Sequence, residues 1–173
     1  MTGALTVGMG EIKTLQCPGS FICLGLGSCI GLVAYDAKAQ VAGMIHVMLP
    51  HKFPDRPVDQ VGKFADTGIP ELFRQLEEMG AVRRRLVVAM AGGAQVFKFG
   101  SGADSRMDIG RRNAESVTAE LTKLGMRPLA QDVGGSKGRT MTISLPDGLV
   151  TVKTLTEGTV KLCRLADPLA KAG

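Results

Sequence analysis

Tryptophan is absent from this sequence, tyrosine occurs once, and aromatic residues make up only 4% of the 173 positions. A core must therefore be filled by Val, Leu, Ile, Met and Ala. A nucleic-acid surface built on stacked aromatics is disfavoured, because the basic runs Arg83-Arg84-Arg85 and Arg111-Arg112 have no aromatics interleaved with them. No uncharged apolar run approaches the roughly 20 residues that cross a bilayer. The start, MTGALTVGMGEIK, lacks the basic and apolar segments of a signal peptide. These absences predict a cytoplasmic protein with no membrane insertion and no nucleic-acid partner. In that compartment the four cysteines, Cys17, Cys23, Cys29 and Cys163, are expected to be reduced. None of them forms the C-x-x-C pair of a zinc site, so no metal site is expected.

What the chain has in plenty is glycine, at 23 residues, within an ordinary globular balance of 45% hydrophobic and 21% charged residues. The length suits one domain with a real core, and no repeat, linker or low-complexity segment divides it. A net charge of +5 makes an acidic protein surface the natural electrostatic partner. The patterning predicts an α/β (α+β) domain of mostly antiparallel strands packed with about two main helices. Ile69, Leu72, Phe73, Leu76 and Met79 recur at helical spacing and Gly80 stops them. Ala114, Val117, Leu121 and Leu124 form a second helical face, with Asp108 as a cap and Gly125 as the stop. Residues 86–90 read as a short strand, ending in Ala91-Gly92-Gly93-Ala94 and a loop to Arg106. Residues 140–145 and 149–154 flank Pro146-Asp147-Gly148 as a hairpin. Residues 155–173 read as a frayed helix.

The most distinctive stretch is residues 21–35, FICLGLGSCIGLVAY, in which two apolar pieces flank Gly25-Leu26-Gly27-Ser28 and Cys29 follows directly. Amide groups around Gly27, Ser28 and Cys29 can converge on a small anion, because glycine permits sharp turns. Cys29 is read in two ways, as a thiol nucleophile or as a small core residue. Residues 30–35 and 41–49 form a hairpin across the polar break 36–40. One face carries Ile30, Leu32 and Ala34 with Val41, Ile45 and Val47. The other carries Cys29, Gly31, Val33 and Tyr35 with Ala42, Met44, His46 and Met48. A loop of Ala37-Lys38, or of residues 36–39, sets Ile30 opposite Ile45 and Cys29 opposite His46. An imidazole there can take the thiol proton and hold a thiolate–imidazolium pair. His51, in the loop beyond Pro50, is the reserve histidine. The glycines at 25, 27 and 31 miss the spacing of a dinucleotide fingerprint, and the run 134–139 has the wrong order for a phosphate loop.

Taken together, Leu24-Gly25-Leu26-Gly27-Ser28-Cys29, Tyr35-Asp36, residues 43–50 (GMIHVMLP), Ala65-Asp66-Thr67, Gly92-Gly93-Ala94, Ile109-Gly110-Arg111-Arg112-Asn113, Asp132-Val133-Gly134-Gly135 and Gly138-Arg139 resemble the chemoreceptor glutamine deamidase family, CheD. The resemblance spans about residues 8–155 of a single domain covering 1–173. It implies a protein-glutamine glutaminase that hydrolyses glutamine side chains of methyl-accepting chemotaxis receptors, with no cofactor; related members also hydrolyse glutamyl methyl esters. Cys29 matches the nucleophile and His46 its base. The family's histidine-orienting threonine falls at Cys23, whose thiol is the weaker hydrogen-bonding group. The orienting role thus belongs to Cys23 or to another group. The resemblance also implies CheC or CheY as partners in some bacteria. The alternative reading is a non-catalytic binding module that regulates the CheC phosphatase or the CheY response regulator.

Overall fold

The apolar run 21–35 divides between two sheets. The computed structural model describes residues 3–95 and 108–166. Ten strands are present among them: β1 (Leu5–Thr6), β2 (Ile12–Gln16), β3 (Gly19–Leu26), β4 (Ile30–Asp36), β5 (Val41–Val47), β6 (Val87–Gly92), β7 (Ala130–Val133), β8 (Arg139–Leu145), β9 (Leu149–Thr154) and β10 (Gly158–Arg164). The two helices are α1 (Ala65–Glu78) and α2 (Ile109–Lys123). One sheet has the order β1-β3-β8-β9-β10 and the other β2-β5-β4-β6-β7. β1–β3 and β6–β7 are parallel pairs, and the remaining pairs are antiparallel. Together they make a single-domain α+β fold.

Alternation along the strands explains the layering. Ile30, Leu32, Ala34, Val41, Ile45 and Val47 pack with Ile69, Leu72, Phe73 and Leu76 of α1 and with Val117 and Leu121 of α2. Val33, Tyr35, Ala42 and Met44 face the first sheet and meet Phe21, Met141, Ile143 and Val150. β4 lies at the centre of its sheet and is buried on both faces, so its sequence is an unbroken apolar run up to Asp36. The helices expected from the sequence occur at their expected places. The 146–148 turn joins β8 to β9 as a hairpin.

The carboxy-terminal expectation needs correction. Residues 158–164 form β10, an edge strand paired with β9, rather than a helix. Its residues are mostly exposed, so the segment shows little of the apolar alternation by which strands are read. Of the loop expected to reach Arg106, residues 96–107 lie outside the described residues, as do residues 167–173 of the expected helix.

Candidate active site

β3 ends in one sheet at Leu26 and β4 begins in the other at Ile30, so Gly27-Ser28-Cys29 make the crossing between sheets. The β4–β5 hairpin sets Ile30 opposite Val47, Gly31 opposite His46 and Leu32 opposite Ile45. The expected pairs, Cys29 with His46 and Ile30 with Ile45, are therefore corrected by two residues. The cause is the turn. It occupies residues 37–40, with Gln40 at φ 60°, and Asp36 Oδ1 accepts the amide hydrogens of Lys38 and Ala39. A shift of two preserves the face. Cys29 packs against the core between the sheets one residue before the first ladder pair, and continuing the register puts it on the same face as His46, two positions before Gly31.

His46 is held on three sides by the amino-terminal segment. Its carbonyl accepts from Gly10 N–H at 2.8 Å and its own N–H donates to the Glu11 carbonyl at 3.1 Å. Its Nδ1 lies 3.1 Å from the Val7 carbonyl oxygen. A carbonyl can only accept, so this contact assigns the imidazole proton to Nδ1 and leaves a lone pair on Nε2. Nε2 is buried and has no hydrogen-bond partner among the described residues. The segment is itself fixed by the β1–β3 pairing, continued by Val7 N–H to the Ile22 carbonyl at 2.8 Å.

Cys23 reaches the same region from the first sheet. Gly31, opposite His46, has no side chain, and the position a Cβ would take there is 3.4 Å from Cys23 Sγ. The thiol's own polar contact is Met44 Sδ at 3.7 Å, and it is fully buried. Burial pushes the Cys23 thiol up to about 12, and the neighbouring Cys29 thiol adds to the rise. The Cys29 thiol is also raised by burial. Burial lowers His46, against the opposing pull of the Val7 carbonyl and Glu11. Burial thus disfavours the charged form of each group taken separately.

The crossing loop is braced from behind. Gly93 N–H donates to the Cys29 carbonyl at 2.9 Å and Ala94 N–H to the Gly27 carbonyl at 2.8 Å. Gly92, at φ 120°, passes so close that a Cβ would lie 2.1 Å from the Cys29 oxygen. Arg139, almost fully buried, donates from Nη1 to the Gly92 carbonyl at 3.1 Å and from Nη2 to Asp132 Oδ1 at 3.2 Å. Asn113 of α2 bonds the carbonyls of Ser28 and Met48. The amides of Gly27, Ser28 and Cys29 donate to no carbonyl among the described residues.

The structure thus brings Cys29, His46 and Cys23 to one region with the amides of Gly27 and Ser28, and it leaves His51 outside. His51 is exposed in the loop after β5, with Nδ1 3.9 Å from Asp66 Oδ2. Sequence reasoning missed Val7, which no local pattern marks. It quoted Asn113, Gly92 and Arg139 only inside motifs, without roles. Among the described residues no helix is long and apolar enough to cross a membrane.

Fold and site define a two-sheet α+β protein in which a thiol and an imidazole share one sheet face beside a glycine-rich crossing. The family described as CheD chemotactic sensory transduction matches residues 48–154. A relative from Desulforamulus reducens, named probable chemoreceptor glutamine deamidase CheD, is 40% identical over 87% of this chain and 90% of its own. Proteins of the same name from Clostridium botulinum strain Alaska E43 and Clostridium acetobutylicum are 40% and 42% identical, over 90% and 91% of this chain and 96% and 95% of theirs. The chain belongs to the CheD family.

Proposed function

We propose that this protein hydrolyses selected glutamine side chains of methyl-accepting chemotaxis receptors to glutamate in the cytoplasm, with Cys29 as nucleophile and His46 as general base and acid. The names of the relatives supply the substrate class. The observation that carries the chemistry is the Nε2 of His46, without a hydrogen-bond partner among the described residues, its tautomer set by the Val7 carbonyl, on the face that bears Cys29.

In this reading Nε2 takes the thiol proton as Sγ attacks the carboxamide carbon, so no standing ion pair is required. The carbonyl electron pair moves onto oxygen. Amides at Gly27, Ser28 and Cys29 are the donors for that oxyanion, a service commonly worth about 3–4 kcal/mol per donor. Collapse of the intermediate expels ammonia with the proton returned by the imidazolium. Water, deprotonated by the same Nε2, then cleaves the thioester to carboxylate and thiol. A glutamyl methyl ester follows the same path with methanol as the leaving group. The orienting role of the family's threonine falls here to the Val7 carbonyl rather than to Cys23.

The test is mass spectrometry of receptor glutamine peptides after incubation with native protein and with Cys29→Ala. Amide-to-acid conversion by the native protein alone is expected. Conversion that survives the substitution excludes Cys29 as nucleophile. No conversion on the cognate receptor, with binding to CheC or CheY intact, would replace the enzyme with the binding-module reading.

A further inference from the structure

Asn113 is a polar side chain placed where α2 would otherwise bury an apolar one. Gly110, Asn113, Val117 and Leu121 recur at helical spacing along the face that α2 buries. A fully buried carboxamide is costly unless its hydrogen-bonding groups are used. Here the amide nitrogen is used twice, donating to the Ser28 and Met48 carbonyls, each at 2.9 Å. These residues lie just before β4 and just after β5, beyond the last ladder pair, Ile30 with Val47. Oδ1 has no partner among the described residues. The side chain is therefore held for its donors alone.

We infer that Asn113 is a positioning residue that aims the Cys29 amide at the oxyanion by holding the Ser28 carbonyl. The inference rests on the reading of Cys29 as nucleophile. In a trans peptide the C=O and N–H point in opposite directions. Drawing the Ser28 carbonyl toward α2 turns the Cys29 N–H away from α2, toward the face that carries the thiol. A second feature keeps that N–H free. The ladder between β4 and β6 continues as Gly93 N–H to the Cys29 carbonyl, and the reciprocal bond, Cys29 N–H to the Gly93 carbonyl, is absent among the described residues. The Gly93 carbonyl is instead turned to α2, where a Cβ on Gly110 would lie 2.5 Å from its oxygen. α2 thus bonds the Ser28 carbonyl through Asn113 and packs against the Gly93 carbonyl, which leaves the Cys29 amide without that acceptor.

Two reactions of the same thiol separate this role from simple packing. Hydrolysis of a receptor glutamine peptide passes through an oxyanion, whereas alkylation by iodoacetamide displaces iodide at a saturated carbon and forms none. Asn113→Ala and the near-isosteric Asn113→Asp are compared with native protein in both. The expected result is a fall in kcat of about 10–100-fold with KM and the Cys29 alkylation rate within about threefold. Equal losses in both reactions, or unchanged hydrolysis, would overturn the inference. For a reading independent of the variants' folding, native protein labelled with 15N is titrated with a peptide bearing the aldehyde analogue of glutamine. A downfield shift of the Cys29 amide proton on thiohemiacetal formation is expected, and its absence would overturn the inference. Cys29→Ala run in parallel keeps the two readings apart, since hydrolysis that survives it refutes the nucleophile rather than Asn113.

Discussion

The two ends of β4 handle buried polar groups in opposite ways. At the far end, Asp36 is fully buried and every direction around its carboxylate is occupied. Oδ1 accepts from the amides of Lys38 and Ala39, and Oδ2 accepts from Val82 N–H at 2.8 Å. Arg85 Nη2 completes the set at 3.0 Å from Oδ2. Burial alone would raise the Asp36 pKa, but Arg85 and the backbone donors more than offset it and hold the carboxyl below its usual value. At the near end lie a half-buried thiol and, among the described residues, an imidazole nitrogen without a partner, a carboxamide oxygen without one, and a loop with unclaimed amides. A buried group left unpaired costs stability unless it serves something else. In the proposed mechanism one strand carries an end that secures the fold and an end left open for a reacting molecule.

Substitutions at the two ends should separate activity from stability. His46→Gln is expected to lower kcat/KM on receptor peptides by about 10²–10⁴-fold while the urea midpoint changes little. A large fall in stability with activity retained by the folded fraction would make His46 structural and erase the contrast. Asp36→Ala should do the reverse, costing about 1–3 kcal/mol of unfolding free energy by leaving the backbone amides and the half-buried Arg85 without their acceptor. Its folded fraction should react at Cys29 at the native rate. Gly92→Ala, at the near end, should have a mixed effect, because the new methyl meets the Cys29 oxygen and the φ is strained. About 1–3 kcal/mol of stability and part of the activity should be lost together.

The smallest expected effect is in the pH dependence of stability, and it has a definite sign. His46 in the folded protein lies below its ordinary value, so the unfolded chain binds the proton more readily. The stability this represents is full above about pH 6.5, the unfolded histidine value, and is lost as pH falls toward the folded one. Asp36 is also depressed, and its contribution is lost in a separate step below about pH 4. Urea unfolding across pH should show both steps, with His46→Gln removing the first and Asp36→Asn the second. Activity should decline on acidification in the first step alone.

The sequence shows the faces of this site more clearly than its contacts. Alternation along residues 30–35 and 41–49 puts Cys29 and His46 on one face correctly, because a strand's period of two is carried by neighbouring residues. The register depends on the turn, and Gln40 adopts a left-handed conformation that its residue type does not advertise. The error of two residues left the face intact but moved Cys29 from directly opposite His46 to two positions before Gly31, its partner. Val7 and Asn113 were out of reach for another reason. Val7 acts through its backbone oxygen, which any residue offers, 39 positions from His46. Asn113 acts on Ser28 across 85 positions, and only the packing of α2 on the sheet brings them together. The ion pair of buried Asp36 with half-buried Arg85 was likewise invisible, since residues 36–40 read as a polar break and residues 83–85 as solvated charge.

In the proposed mechanism the open end of β4 works through a covalent intermediate on Cys29. Acid quenching of native protein during turnover of a receptor glutamine peptide, followed by intact-mass measurement and peptide mapping, tests it directly. A transient adduct of the peptide less ammonia, mapped to Cys29 and lost in Cys29→Ala, is expected. Turnover by native protein with no such adduct, turnover that survives Cys29→Ala, or an adduct on Cys17, Cys23 or Cys163 would contradict it.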